Sequence, residues 1–155
     1  MADIAGKSVI ARLSMDTGEG FRPVGYSTGP SALAQDGWLI QNKQEQGDAL
    51  FRFDFIEMGG WLHCNISGAP GTTYEGAKVG ASDEGYLGFY RIAKVDDMWR
   101  VDLKGNLAEP NAFEFVLRDY TGNQVGAVYL GGHVRYLIAA AGDTVRFRAV
   151  IVTEL

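Results

Sequence analysis

The sequence predicts an all-β domain of twelve short strands in three pseudo-equivalent four-strand repeats, and three observations predict it. Phe51-Arg52-Phe53, Trp99-Arg100-Val101 and Val145-Arg146-Phe147 are near-copies, each preceded by an aspartate, at Asp48, Asp97 and Asp143. Upstream of each stands an aromatic-Leu pair, at Trp38-Leu39, Tyr86-Leu87 and Tyr136-Leu137. Upstream of that stands a Val-Gly pair, at Val24-Gly25, Val79-Gly80 and Val125-Gly126. Self-similarity in a fixed order is the mark of a repeat architecture. The whole chain of 155 residues then reads as one domain, with repeats at about 7–59, 60–111 and 112–155.

Each repeat opens on an alternating apolar strand: Val9, Ala11 and Leu13; Leu62, Cys64 and Ile66; Phe113, Phe115 and Leu117. Alternation at period two puts one set of side chains on a single face of a strand, and no segment offers a helical stripe in its place. The Val-Gly, aromatic-Leu and Arg-centred segments supply the second, third and fourth strands. The 21 glycines serve the tight turns that so many short strands require. In Phe51-Arg52-Phe53-Asp54-Phe55 and Trp99-Arg100-Val101-Asp102-Leu103 the same period puts arginine opposite the apolar face. The arginines therefore form either a threefold cationic ring or, more commonly in such strands, outward charges paired with Asp54 and Asp102.

A chain with 46% hydrophobic residues can bury a core without staples, and the single Cys64, in phase with Leu62 and Ile66, reads as a small buried hydrophobe. The net charge of −5 argues against nucleic acid, whose phosphates require a basic surface. Met1 to Lys7 shows no basic segment leading into an apolar one, and no run approaches the roughly 18 apolar residues of a membrane span. The expectation is a cytoplasmic or non-classically secreted protein with no signal peptide and no membrane insertion.

Gly25-Tyr26-Ser27-Thr28-Gly29 matches a nucleophile elbow, but that device needs a helix behind its serine, and Pro30 follows. His63 and His133 have no partner at metal-ligand spacing. Asp83 with Glu84 and Asp96 with Asp97 are adjacent residues, whose side chains point apart on a strand. No metal, no cofactor and no enzymatic activity are expected.

Closing a sheet into a barrel removes the edges that invite aggregation, and threefold repetition favours closure. On the repeated residues quoted above, the chain from Lys7 to Leu155 resembles the β-trefoil superfamily. It looks closer to the fascin-like and agglutinin-like variants than to the ricin type, because the Gln-x-Trp mark is absent. The resemblance implies a six-stranded barrel capped by three hairpins. Its core would hold Leu39, Leu87 and Leu137 with Phe51, Trp99 and Val145, and Val24, Val79 and Val125 at the second strands.

Function in such a fold is expected where the repeats differ. The resemblance implies a carbohydrate-binding, lectin-like module recognising a glycan or glycoprotein through shallow sites related by the repeat. Aromatic faces and planar polar groups suit a sugar, and the candidate ligand-binding residues are Asp36, Trp38, Asp83, Tyr86, Asp119, Asn123, His133 and Tyr136. The alternative is a protein-binding module, namely a protease inhibitor, a cytoskeletal crosslinker or a toxin component, acting through the loops 14–23 and 67–78. A third expectation is a homo-oligomer interface built from Phe21 with Tyr26 and Phe89 with Tyr90.

Overall fold

The computed structural model describes residues 4–28, 37–90, 98–104, 111–129 and 134–155. Its strands are β1 (Ser8–Asp16), β2 (Arg22–Tyr26), β3 (Leu39–Gln41), β4 (Phe51–Met58), β5 (Trp61–Gly68), β6 (Lys78–Ala81) and β7 (Leu87–Tyr90). There follow β8 (Trp99–Lys104), β9 (Ala112–Arg118), β10 (Val125–Tyr129), β11 (Arg135–Ala139), β12 (Asp143–Thr144) and β13 (Arg146–Glu154). All are antiparallel neighbours in one 13-stranded sheet, so the all-β expectation holds. The expected count of twelve is corrected by β12, a two-residue strand added to β10.

Strand β1 pairs with β13, β13 with β9, β9 with β8, β8 with β5, β5 with β4, and β4 with β1 again. The sheet thus closes on itself as a six-stranded barrel. The hairpins β2–β3, β6–β7 and β10–β11 gather at one end. They are joined cyclically: Trp38 bridges Gly88, Tyr86 bridges Ile138, and Tyr136 pairs with Ile40. Each hairpin's aromatic therefore meets the residue two positions beyond the next hairpin's aromatic.

Alternation fills the barrel. Phe51, Phe53, Phe115 and Phe147 have no exposed surface, and stacked or edge-on ring pairs such as Phe53–Phe115 at 6.2 Å and Phe115–Phe147 at 5.6 Å run through the interior. Leu39, Leu87, Leu137, Phe51, Trp99, Val145, Val24, Val79 and Val125 are 0–2% exposed, the core positions expected of them. Each large side chain contributes about 1.5–3 kcal/mol by leaving water. Cys64 is fully buried among them, which pushes its thiol far above the usual range and leaves it un-ionised.

Two of the three Val-Gly glycines are sterically crowded. A Cβ on Gly126 would stand 2.0 Å from the Ala141 carbonyl oxygen, and one on Gly25 would stand 2.1 Å from the Asn42 side-chain amide. At Gly126 the obstacle is backbone, so only glycine fits there, whereas at Gly25 it is the ends of the Asn42 and Gln46 side chains.

The repeated arginines do not form a ring. Arg52 Nε lies 3.1 Å from Asp54, Arg100 Nε lies 3.3 Å from Asp102, and Arg146 lies 3.6 Å from Glu114. They are outward charges, each with a carboxylate on its own or the adjoining strand. Arg100 and Arg118 sit directly opposite one another on β8 and β9, a repulsive pairing that Asp102 relieves by reaching both.

The aromatic oligomer interface is also corrected. Tyr26 and Phe89 are each 8% exposed, and both pack on Tyr74 at 4.9 Å, so these rings belong to the core cluster. Phe21 lies under the Arg148 guanidinium, 4.1 Å from its ring centre.

Candidate functional site

The three repeat-related aromatics come together in one place. Trp38 and Tyr86 are stacked 4.9 Å apart at 12°, and Tyr136 meets Trp38 edge-on at 6.0 Å. Their ring faces, half-buried at the junction of the three hairpins, are spent on each other, so three separate aromatic platforms are not formed. Asp83 is exposed in the turn where Gly85 N–H donates to the Ser82 carbonyl.

Asp119 and Asn123 hold a loop. Asp119 Oδ1 accepts from Thr121 N–H at 3.0 Å, Thr121 Oγ1 at 2.7 Å and Asn123 N–H at 2.9 Å, while Asn123 Nδ2 donates to Thr121 Oγ1 at 2.8 Å. The β1–β2 loop repeats the device at the same offsets, with Asp16 Oδ1 accepting from Gly18 and Gly20 N–H at 2.7 and 3.0 Å. An aspartate whose oxygen closes its own turn serves the backbone first. Asp36 and His133 lie outside the described residues. The six described candidate positions therefore do not converge on a common pocket. The serine of the elbow-like motif, Ser27, sits just past β2 and accepts from Trp38 N–H. Among the described residues no group of His, Cys, Asp or Glu could hold a metal ion.

A different site is formed where the β1–β2 loop, the end of β3 and the β10–β11 hairpin meet. Glu19, Arg22, Gln41, Asn42, Lys43, Tyr129 and Val134 line a cleft of about 300 Å³. The amides are structural: Asn42 Nδ2 donates to Gln46 Oε1 at 3.2 Å, and that oxygen also accepts from Tyr26 N–H at 2.9 Å. Arg22 and Lys43 are exposed and belong to no ion pair among the described residues. Tyr129 presents its ring at the rim, with Arg135 4.6 Å from the ring centre and itself fixed to Asp143 at 2.5 Å. That bond to Asp143 raises the Arg135 pKa and keeps it charged. Among the described lining residues Arg22 and Lys43 stand against Glu19 and make the cleft locally positive on a chain that is negative overall. Sequence reading reached only half of it, through the variable loop 14–23, because neither Lys43 nor Tyr129 is itself a repeated or motif-bearing residue.

The outer wall carries a second electrostatic centre. Burial works against ionising Asp102, but hydrogen bonds from Arg118 Nε at 2.7 Å and from Arg100 outweigh it and hold its pKa below the ordinary carboxylate value. Asp48 is held down in the same direction, first by the hydroxyl of Tyr26 at 2.6 Å and then by Thr73. Desolvation, with Asp48 close by, raises Tyr26.

No family model matches the chain, and no curated protein matches it. Among solved structures it is similar to a lysenin pore, with a TM-score of 0.51 and 14% identity over 97% of this chain. The match spans 50% of the length of that pore chain. This overturns the expected kinship with the fascin-like and agglutinin-like β-trefoil proteins, since the shared architecture found is that of part of a pore. The lectin reading is corrected with it. Its described supporting residues include a packed aromatic junction and a pair of loop clamps, and among the described residues no repeated sugar platform is formed.

Proposed function

We propose that this chain is a toxin component: a docking unit that carries a pore-forming partner or segment to its target. The observation that supports this reading is the overlay of nearly the whole chain on half of a lysenin pore chain. The chemistry of the barrel limits its part in such an assembly. A membrane-spanning barrel needs an apolar outer band and a polar or open interior. Here the interior is solid with phenylalanine, and the outer wall carries Arg52, Asp54, Arg100, Asp102, Glu114 and Arg148. The barrel is therefore a docking element, and the pore wall belongs to another segment. In this reading the four-strand units 7–59, 60–111 and 112–155 act as one rigid body, tied together through the cyclic contacts of the hairpins.

The positive cleft of Arg22 and Lys43 is the contact for a carboxylate-bearing partner, placed by Tyr129. More than one copy of the chain would be carried by such an assembly. The test applies the purified chain to erythrocytes and measures both bound protein and released haemoglobin. Saturable binding without release is expected. Release by this chain alone, or no binding at all, would overturn the reading. An oligoglutamate peptide titrated by NMR should shift resonances of Arg22, Lys43 and Tyr129 in a saturable way. The double variant Arg22→Ala/Lys43→Ala should abolish those shifts, and their persistence would remove the cleft from the interface.

A further inference from the structure

At the end of the barrel remote from the hairpins, β4 and β5 run past their neighbours. Among the described residues β4 pairs with β1 as far as Asp54 and is bonded to Lys7 and Gly6 at Phe55, and β5 pairs with β8 at His63 and Cys64, whereas β4 and β5 pair with each other out to Met58 and Trp61. Residues 56–62 therefore form a two-stranded tip, turned by Gly59 and Gly60 at φ 59° and 84°. Ile56 lies opposite His63 and Met58 opposite Trp61, so period two places all four side chains on one face. Ile56, Met58 and Trp61 are 43%, 41% and 52% exposed. Three large apolar groups on a projecting tip face water at a cost that a merely structural turn has no reason to incur.

The surroundings of this face are cationic. The Arg100 guanidinium stands 4.2 Å from the Trp61 ring centre, with Arg118 directly opposite Arg100 across β8–β9. Among the described residues Asp102 is the carboxylate that reaches these two arginines, so two guanidinium groups share one carboxylate beside the apolar tip. An indole at the rim, aliphatic groups beyond it and guanidinium groups behind is the arrangement that suits a bilayer interface, where indole sits at headgroup depth and arginine meets phosphate.

We propose that the Ile56, Met58 and Trp61 face seats in the headgroup layer of a lipid bilayer, with Arg100, which lies over the Trp61 ring, meeting lipid phosphate. This names the class of target surface for the docking reading above and rests on it. Apolar side chains enter the interface by the burial that drives interfacial binding in general, and Arg100 adds attraction for anionic lipid.

The experiment is vesicle co-sedimentation of the full chain with phosphatidylcholine vesicles and with phosphatidylcholine–phosphatidylserine vesicles. Native protein is expected to bind both, and the mixed vesicles more tightly. The Ile56→Asp/Met58→Asp variant should bind about tenfold or more weakly to each, with an unchanged melting temperature. Arg100→Gln should lose the preference for phosphatidylserine while keeping its binding to phosphatidylcholine alone. Binding unaffected by the double variant, or no binding of native protein, would overturn the inference. So would concentration-dependent self-association abolished by the double variant in the absence of vesicle binding, which would make the tip a contact between copies. Cell binding that survives the tip variants but is lost with Arg22→Ala/Lys43→Ala sinks this inference alone. Tip-dependent vesicle binding accompanied by haemoglobin release from the chain alone would sink the docking reading and leave the lipid face standing.

Discussion

The two ends of the barrel use the same residue types for opposite purposes. At the hairpin end, aromatic rings face one another: Trp38 on Tyr86, Tyr74 on Phe89, and Trp99 buried with its indole N–H donating to the Val79 carbonyl at 3.1 Å. At the open end, Trp61 and Met58 face water on a hairpin that outruns its neighbours. A closed barrel has no free edge to regulate, so the difference lies in what each end does with its surplus apolar surface. One end locks three hairpins together, and the other keeps its surface available. The open end has a further irregularity, because the register between β1 and β13 slips at Val152, which is left exposed as a bulge.

The two tryptophans sharpen this contrast most. Trp99→Ala should lower the free energy of unfolding by about 3–5 kcal/mol, because it leaves a cavity and orphans a buried carbonyl. Trp61→Ala should change it by no more than about 0.5 kcal/mol. Chemical denaturation of both variants measures the difference, and equal effects would break the comparison.

The two kinds of glycine come next. Gly126→Ala should cost about 3 kcal/mol, since the new Cβ meets the Ala141 carbonyl oxygen at 2.0 Å. Gly60→Ala should cost only the strain of positive φ, about 1–2 kcal/mol, because nothing stands within 4 Å of its Cβ. Thermal melts read on circular dichroism would rank them, and the reverse order would place the steric constraint at the wrong end.

Acid should act through Asp48 and Asp102. Both carboxyls are held below their ordinary value of 3.8 in the folded chain, so the unfolded chain binds protons first. The stability they contribute is complete above that value and is lost as pH falls through their folded pKa values. Asp48→Asn keeps the shape but weakens the bonds to Tyr26 and Thr73, with an expected loss of about 1–3 kcal/mol at neutral pH and a shallower acid decline. An acid limb identical to that of the native chain would remove Asp48 from the account. A small effect also belongs to Arg52→Ala, a half-exposed pair with Asp54 worth about 0–1 kcal/mol, and urea titration would detect anything larger.

Much of the interior was legible in the sequence because burial repeats what the chain repeats. Leu39, Leu87 and Leu137 occupy equivalent interior positions, and period two in Phe51 to Phe55 places Arg52 and Asp54 outside together. The site was far less legible. Trp38, Tyr86 and Tyr136 carry the same signal whether they stand on three separate faces or meet at one junction, and only the cyclic bridges between hairpins decide between these. Asp119 looks like a ligand residue in sequence, yet its oxygen is engaged by backbone two and four residues ahead. The cleft draws Arg22, Lys43 and Tyr129 from segments far apart along the chain, with no spacing to betray them. Exposure of Ile56, Met58 and Trp61 depends on how far β1 and β8 extend beside them, which periodicity cannot report.

Hydrogen exchange on the protein bound to phosphatidylcholine–phosphatidylserine vesicles tests the central claim most directly, that a closed barrel docks intact through its open end. The account predicts added protection confined to residues 56–62 and unchanged protection in the barrel strands. Loss of protection across β1, β9 and β13, as for a barrel that opens and inserts, would contradict it.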